Sequence, residues 1–152
     1  MDVKTILTVK GGSVLHVKPD SPISEAIKLM HDKRVGSVLV MENEGGEILG
    51  ILSERDVIRI VAEQSCTALQ GVVGDVMTRD IVACTSECTV DTVISGMSKF
   101  NVRHLPVFKG DELLGVISAR DVMHYRIRQL ESGEEQRFQR WFSKGKVYSL
   151  RK

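Results

Sequence analysis

Gly50-Ile51-Leu52-Ser53-Glu54-Arg55-Asp56-Val57 returns later in the chain as Gly115-Val116-Ile117-Ser118-Ala119-Arg120-Asp121-Val122. Gly, Ser, Arg, Asp and Val recur in register, and the two positions after the glycine stay apolar. The likeness extends upstream, where Ile27, Met30, Val35 and Val40 correspond to Ile94, Met97, Val102 and Val107. The spacing holds until the turn before Gly50, which is two residues longer than the turn before Gly115. Such a repeat means one supersecondary unit built twice. What recurs is a strand end, a small turn and a carboxylate at a helix start.

A chain of 152 residues makes one globular body, or two small halves sharing a core. Its 42% hydrophobic and 27% charged content is ordinary for a soluble protein. A net charge of +1 gives no electrostatic case for nucleic acid or an anionic membrane as partner. No apolar run approaches the roughly 20 residues of a membrane span, and residues 1–10 lack the apolar core of a signal peptide. Cys66, Cys84 and Cys88 are an odd set without C-x-x-C spacing, which points to reduced, partly buried thiols and a cytoplasmic protein. No second Cys or His pair stands at the spacing a zinc site needs.

The pattern predicts a short helix over 2–10 with Ile6 and Leu7 inward, then a strand from Val14 to Val17. Ser21-Pro22 opens a helix, with Ser21 as N-cap, Pro22 at the first helical position and Ile23, Ala26, Ile27 and Met30 facing inward. Val35 to Met41 and Ile48 to Leu52 read as strands joined by a hairpin containing Gly45-Gly46. Ser53 caps the next helix, with Glu54 and Asp56 where the helix dipole favours them. The second unit repeats this order. A strand runs from Ile81 to Cys84, and Thr89 caps a helix with Val90, Val93, Ile94 and Met97 inward. Strands follow over 103–108 and 113–117 around the turn Lys109-Gly110-Asp111, and Ser118 caps a last helix. A short helical turn is expected near Val73 to Met77. The fold class is therefore α+β: two β-α-β-β-α repeats packed through their sheets with pseudo-twofold symmetry, plus a helical C-terminal extension. The expected organisation is an N-terminal segment 1–13, repeat one 14–62, a linker 63–75, repeat two 76–126 and a tail 127–152. In the tail, Phe138, Trp141 and Phe142 fall at helical spacing and call for cover, by the chain's own body, a second subunit or another protein.

The recurring motif has two readings. Ser at an N-cap, with the first helical N–H groups beyond it, suits an anion. An ionised Asp one turn on is a pure acceptor, fit for a pair of sugar hydroxyls. Together they suit a nucleoside phosphate. S-x-x-D is equally an ordinary capping box, in which the two side chains satisfy the helix end.

At Gly50–Asp56, Gly115–Asp121 and Arg103-His104-Leu105-Pro106-Val107, in order and spacing, the chain resembles a tandem pair of cystathionine-β-synthase (CBS) domains, a Bateman module. It is most similar to small stand-alone bacterial CBS proteins. The resemblance covers about residues 14–62 and 76–126. It implies clefts between the repeats that bind AMP, ADP or ATP, or in some members NADH or S-adenosylmethionine, with no cofactor required. It implies that Asp56 with Ser53, and Asp121 with Ser118, hold ribose and lie beside phosphate. It further implies Lys18-Pro19 beside the Asp121 cleft and Thr85-Ser86 beside the Asp56 cleft. Arg103 and His104 stand where repeat one has Gly36 and Ser37. Both types suit phosphate, so the Asp121 cleft is expected to be the stronger phosphate site. Pro106 stands where repeat one has Leu39. Arg55 and Arg120 turn toward a ligand or lie on an exposed helix face.

No metal-pair spacing of His16, His31, His104 and His124, no G-x-S-x-G and no Walker loop argues for an enzyme. The expected role is a regulatory nucleotide-binding module, assembled as a homodimer and acting on an unidentified protein in trans. The alternative is a dimeric scaffold with vestigial clefts that works through its aromatic tail.

Overall fold

The computed structural model describes residues 3–11 and 14–129. The chain forms α1 (Val3–Lys10), β1 (His16–Val17), α2 (Ile23–Lys33), β2 (Ser37–Met41), β3 (Ile48–Ser53) and α3 (Glu54–Gln64). A 3-10 turn (Cys66–Gln70) and α4 (Val73–Val76) lead into β4 (Cys84–Thr85), α5 (Val90–Lys99), β5 (His104–Lys109) and β6 (Glu112–Ser118). A last helix, α6, covers 119–129. Each repeat builds a three-stranded sheet, in the order β1-β2-β3 and β4-β5-β6, with the first pair parallel and the second antiparallel. The α+β class and the two β-α-β-β-α units stand as expected. The 130–152 part of the predicted tail, with Phe138, Trp141 and Phe142, lies outside the described residues.

The copies agree in fine detail. Both register shifts fall at the same place, Val40/Met41 and Val107/Phe108. Both first helices end in a left-handed residue, Arg34 at φ 53° and Asn101 at φ 52°. In each, the next amide reaches back into the last turn, Val35 to the Met30 carbonyl and Val102 to that of Met97. Those bonds satisfy helix-end carbonyls without glycine at the stop.

Several boundaries moved. Pro22, not Ser21, is the N-cap of α2, and no side chain caps it. The first helical amide, Ile23, is instead satisfied by the Gly71 carbonyl of the linker, while the Ser21 carbonyl accepts from Val73. A tertiary contact has taken over the task of a local cap. The strand predicted over 81–84 shrinks to Cys84–Thr85 because the chain before it turns to β3: Thr78 and Ile51 exchange both backbone hydrogen bonds at 2.9 Å. Ile94, assigned to the inner face of α5, is 41% exposed.

Core packing crosses the repeats. The buried α1 residues Val3, Ile6 and Leu7 join Val90, Val93, Met97, Leu105, Val107 and Ile117, all of repeat two. Val73 and Met77, at and just past α4, join Val17, Ile23, Ala26, Met30, Val38, Val40 and Leu52 of repeat one. Each core is completed by the helix that leads the other repeat. The motif glycines sit under these helices. A Cβ at Gly50 would lie 2.5 Å from the Met77 sulfur and 3.0 Å from the Thr78 carbonyl oxygen, and one at Gly115 3.2 Å from Leu7. Gly50 is thus fixed by close approach of the Met77–Thr78 segment. Gly50→Ala is expected to destabilise the fold by about 1–3 kcal/mol through overpacking. Gly96→Ala, inside α5 with nothing within 4 Å of the added Cβ, is expected to stabilise it by about 0.4–1 kcal/mol. Denaturant midpoints of the two variants measure both, and a Gly50→Ala protein as stable as the parent would refute the contact's importance.

Candidate functional site

Both motifs are capping boxes. The Asp56 Oδ2 accepts from the Ser53 amide at 2.9 Å and the Ser53 hydroxyl at 2.7 Å, and the Ser53 Oγ accepts from the Asp56 amide at 3.3 Å. Asp121 and Ser118 repeat this at 2.8, 2.7 and 3.2 Å. The spacing of the motif is therefore fully used in starting α3 and α6. Function must come from what else reaches each carboxylate, and there the copies part.

At Asp56 the outer oxygen, Oδ1, accepts two long bonds of 3.2 Å, from the Thr78 hydroxyl and from Arg59. Beyond it opens a cavity of about 260 Å³ lined by α3's first turn, by Thr78, Asp80, Ile81 and Val82, and by Asn101, Val102, Arg103 and His104. The wall is drawn from both repeats. Arg55 crosses between them, donating to the Asn101 carbonyl at 3.1 Å. At Asp121 the third partner is the Lys10 ammonium from the last turn of α1. It donates to Oδ2 at 2.7 Å and to the Val116 carbonyl at 3.0 Å. Val116 corresponds to Ile51, the residue that pairs with Thr78. In one cleft a small hydroxyl residue sits at this point; in the other, a charged side chain.

The expected assignment of the basic pair needs correction. Arg103 and His104 lie in repeat two but line the Asp56 cavity. The cause is the approach of the two repeats at the starts of β2 and β5. The Gly36 carbonyl accepts the Glu54 amide and the Arg103 carbonyl accepts the Ala119 amide, so equivalent residues precede equivalent helices. A Cβ at Gly36 would lie 3.1 Å from the His104 ring and 3.4 Å from Glu54 Oε2. Gly36 thus leaves the room that His104 fills. Lys18 and Pro19 are held at α4, where the Gly74 amide donates to the Pro19 carbonyl at 2.7 Å. Thr85 and Ser86 meet the start of α1, with the Lys4 amide donating to Ser86 and the Ser86 amide to Phe108. Thr85 and Ser86, expected beside Asp56, are not among the residues lining its cavity. Thr78, Asp80, Ile81, Val82 and Lys10 were not predicted as site residues. The signal available was position: Lys10 ends one leading helix, and the other four stand just past the second.

Burial lowers the His104 pKa and Lys10 adds to that, against Glu54 and Asp121, which raise it. With its ordinary value near 6.5, His104 is neutral at pH 7 and can both donate and accept hydrogen bonds. Burial raises the Asp121 carboxyl, but hydrogen bonds from Lys10 and Ser118 outweigh it and hold the group below its ordinary value. Burial, with Cys88 beside it, pushes the Cys84 thiol up to about 11, so it is not a ready nucleophile. A larger hollow of about 1020 Å³ lies elsewhere, between the two hairpin turns, and includes neither motif.

Comparison with known proteins agrees with this architecture. The CBS domain family profile matches residues 4–63 and again 73–128, taking in both leading helices. An uncharacterized 17.7 kDa protein of Acidianus ambivalens is 31% identical over 79% of this chain and 70% of its own length. Among curated relatives the share of their length spanned falls as low as 22%. The CBS-domain containing protein ATU1752 from Agrobacterium tumefaciens is 37% identical, with a TM-score of 0.79 over 83% of this chain and 99% of that one. At 24% identity, the CBS domain protein PAE2072 from Pyrobaculum aerophilum, solved in complex with AMP, shares the fold with a TM-score of 0.68 over 80% of this chain and 89% of that one.

The Asp121 carboxyl gives a pH test. Its folded pKa lies below the unfolded value of about 3.9, so the unfolded chain takes up the proton first as pH falls. Its stabilising contribution is whole above about pH 4 and is lost as pH drops through the folded value. Asp121→Asn is therefore expected to lower stability at pH 7 and to weaken its decline toward pH 3. Urea midpoints across that range check this; an unchanged acid slope would disprove it.

Proposed function

Because the chain belongs to the CBS-domain family, as a tandem pair, we propose that it is a regulatory module whose Asp56 cavity takes an adenosine-containing ligand. The observation that carries this reading is the wall of that cavity. A carboxylate at a helix N-terminus from one repeat faces an arginine and a neutral histidine from the other. The ribose hydroxyls bond to Asp56 Oδ1, replacing its long bonds to Thr78 and Arg59. Ile81 and Val82 offer apolar contact to the base, and Arg103 and Arg55 the cations for phosphate. Two arginines against Glu54, Asp56 and Asp80 suit a ligand of low net charge, AMP or S-adenosylmethionine, rather than ATP. That a structural neighbour, PAE2072, was solved with AMP supports the ligand class. The Asp121 cleft is the weaker site, since the Lys10 ammonium already stands on that carboxylate and partly neutralises it.

The ligand bridges walls from both repeats, so it favours one relative arrangement of them. It acts on a protein partner only if that partner distinguishes the arrangements. Ligand at about 100 times its dissociation constant adds roughly 2.7 kcal/mol of stability, a rise in melting temperature of very roughly 5–10 °C for a chain of this size. Thermal unfolding of nucleotide-stripped protein is expected to show this rise with AMP or S-adenosylmethionine and a smaller one with ATP. Asp56→Ala or Arg103→Ala, each compared with its own unliganded melt, is expected to lose it, and Lys10→Ala to keep it. No rise with any adenosine ligand would favour the scaffold reading. Loss in Asp121→Ala with full retention in Asp56→Ala would assign binding to the other cleft.

A second pair of equivalents supports a homodimer formed through α3 and α6. Ile58 and Met123 occupy the same position in the two helices and are 71% and 56% exposed. Two exposed apolar residues related by the internal symmetry suit an isologous contact. Ile58→Glu with Met123→Glu is expected to turn a dimer into a monomer in light scattering at micromolar concentration. A parent protein that is already monomeric there would refute the contact.

A further inference from the structure

The hollow of about 1020 Å³ lies away from both motifs and is built from equivalent residues of the two repeats. Val14 and Ile81, Met41 and Phe108, and Ile48 and Leu113 form its apolar lining. Above them stand the hairpin turns, with Glu44 and Glu47 from one and Asp111 and Glu112 from the other. These four carboxylates are exposed, and neither lysine nor arginine lines the hollow; His16 is its one other titratable group. The surface is an apolar floor under a rim of one sign, which suits a partner with large apolar side chains and positive charge.

The chain itself carries such a segment. From Arg137 to Lys152 it contains Arg137, Arg140, Lys144, Lys146, Arg151 and Lys152 and not one acidic residue, while Phe138, Trp141, Phe142 and Tyr148 supply the aromatics. The chain between the end of α6 and Arg137, residues 130–136, spans up to about 25 Å when extended. A radius of gyration of about 14 Å makes the body about 36 Å across, a distance that the linker and the residues up to Trp141 together match at up to about 39 Å, so the tail's aromatics can reach a groove on the same molecule. Covalent attachment raises the effective concentration of the segment at the groove.

We propose that the basic aromatic segment 137–152 docks in the acidic-rimmed hollow between the two hairpin turns of its own chain. The aromatics cover the apolar floor, and the basic side chains meet Glu44, Glu47, Asp111 and Glu112. The docked tail spans both repeats from the side opposite in charge to itself and depends on ionic strength, since exposed charge pairs are screened.

Trp141 is the single tryptophan of the chain, so its fluorescence in the full-length protein reports this segment alone. Protection from acrylamide, a neutral quencher, and a blue-shifted emission are expected in the parent protein. Glu47→Lys with Asp111→Lys, both in exposed turns, is expected to abolish that protection. Adding Arg140→Glu and Lys144→Glu to this variant is expected to restore it, a rescue that damage to the fold would not produce. The neutral pair Glu47→Gln with Asp111→Asn serves if the reversed protein fails to fold, and is expected to lose part of the protection. Equal quenching of Trp141 in the parent and in the rim variants would overturn the proposal. So would protection that grows with protein concentration, which would place the tail on a second copy.

Discussion

The fold depends on the close approach of Met77 and Thr78 to Gly50. That contact is possible only because position 50 has no side chain, and it ties the segment leading repeat two to the third strand of repeat one. Through it Met77 enters the first core, Thr78 forms its bridge with Ile51, and the chain then passes along the wall of the Asp56 cavity before reaching β4. The reciprocal contact, Leu7 over Gly115, carries α1 into the second core. The two repeats are therefore not autonomous halves. Neither sheet is sealed without the helix that belongs, by sequence order, to the other. Short strands with one small core each would be marginal alone, and exchange of leading helices is how this chain avoids that.

The same exchange explains what could be read from the sequence. The repeat was legible because Gly, Ser, Asp and the apolar periodicity of the helices are local requirements: close approach, capping and burial of one face. Those requirements placed α3, α5, the hairpins and the caps Ser53, Thr89 and Ser118 correctly. What failed depended on contacts across the repeats. Ser21 lost its capping task to the carbonyl of Gly71, and the strand predicted from Ile81 was drawn away by Ile51. Arg103 and His104 went to the opposite cleft because equivalent strand starts meet there. No spacing rule along one chain reports which repeat a residue will face. The glycine at 36, which leaves room for the His104 ring, was visible in the sequence but had no meaning until its partner was known.

An internal duplication starts with two equal sites, and here the equality has been broken at one structural position. In repeat two the leading helix is short, Val73–Val76, and the chain extends from Met77. In repeat one it continues to Lys10, long enough to carry an ammonium to Asp121. The Lys10–Asp121 bond is partly exposed, and exposed pairs of this kind contribute little stability. What it changes is the set of partners on each carboxylate: Lys10 stands on Oδ2 of Asp121, whereas Thr78 and Arg59 stand on Oδ1 of Asp56 at the longer distance of 3.2 Å.

If the Asp56 cavity alone takes ligand, as proposed, the module transmits information differently from one with two equal sites. With two equal sites, a ligand could occupy either and leave the relation between the repeats symmetrical. With one, binding acts on one side of the internal axis, where Arg55 already bridges to Asn101 and where His104 feels both Glu54 and Asp121. His104 thus carries the influence of both repeats into the cavity wall, so a ligand seated there meets both halves of the duplication at once.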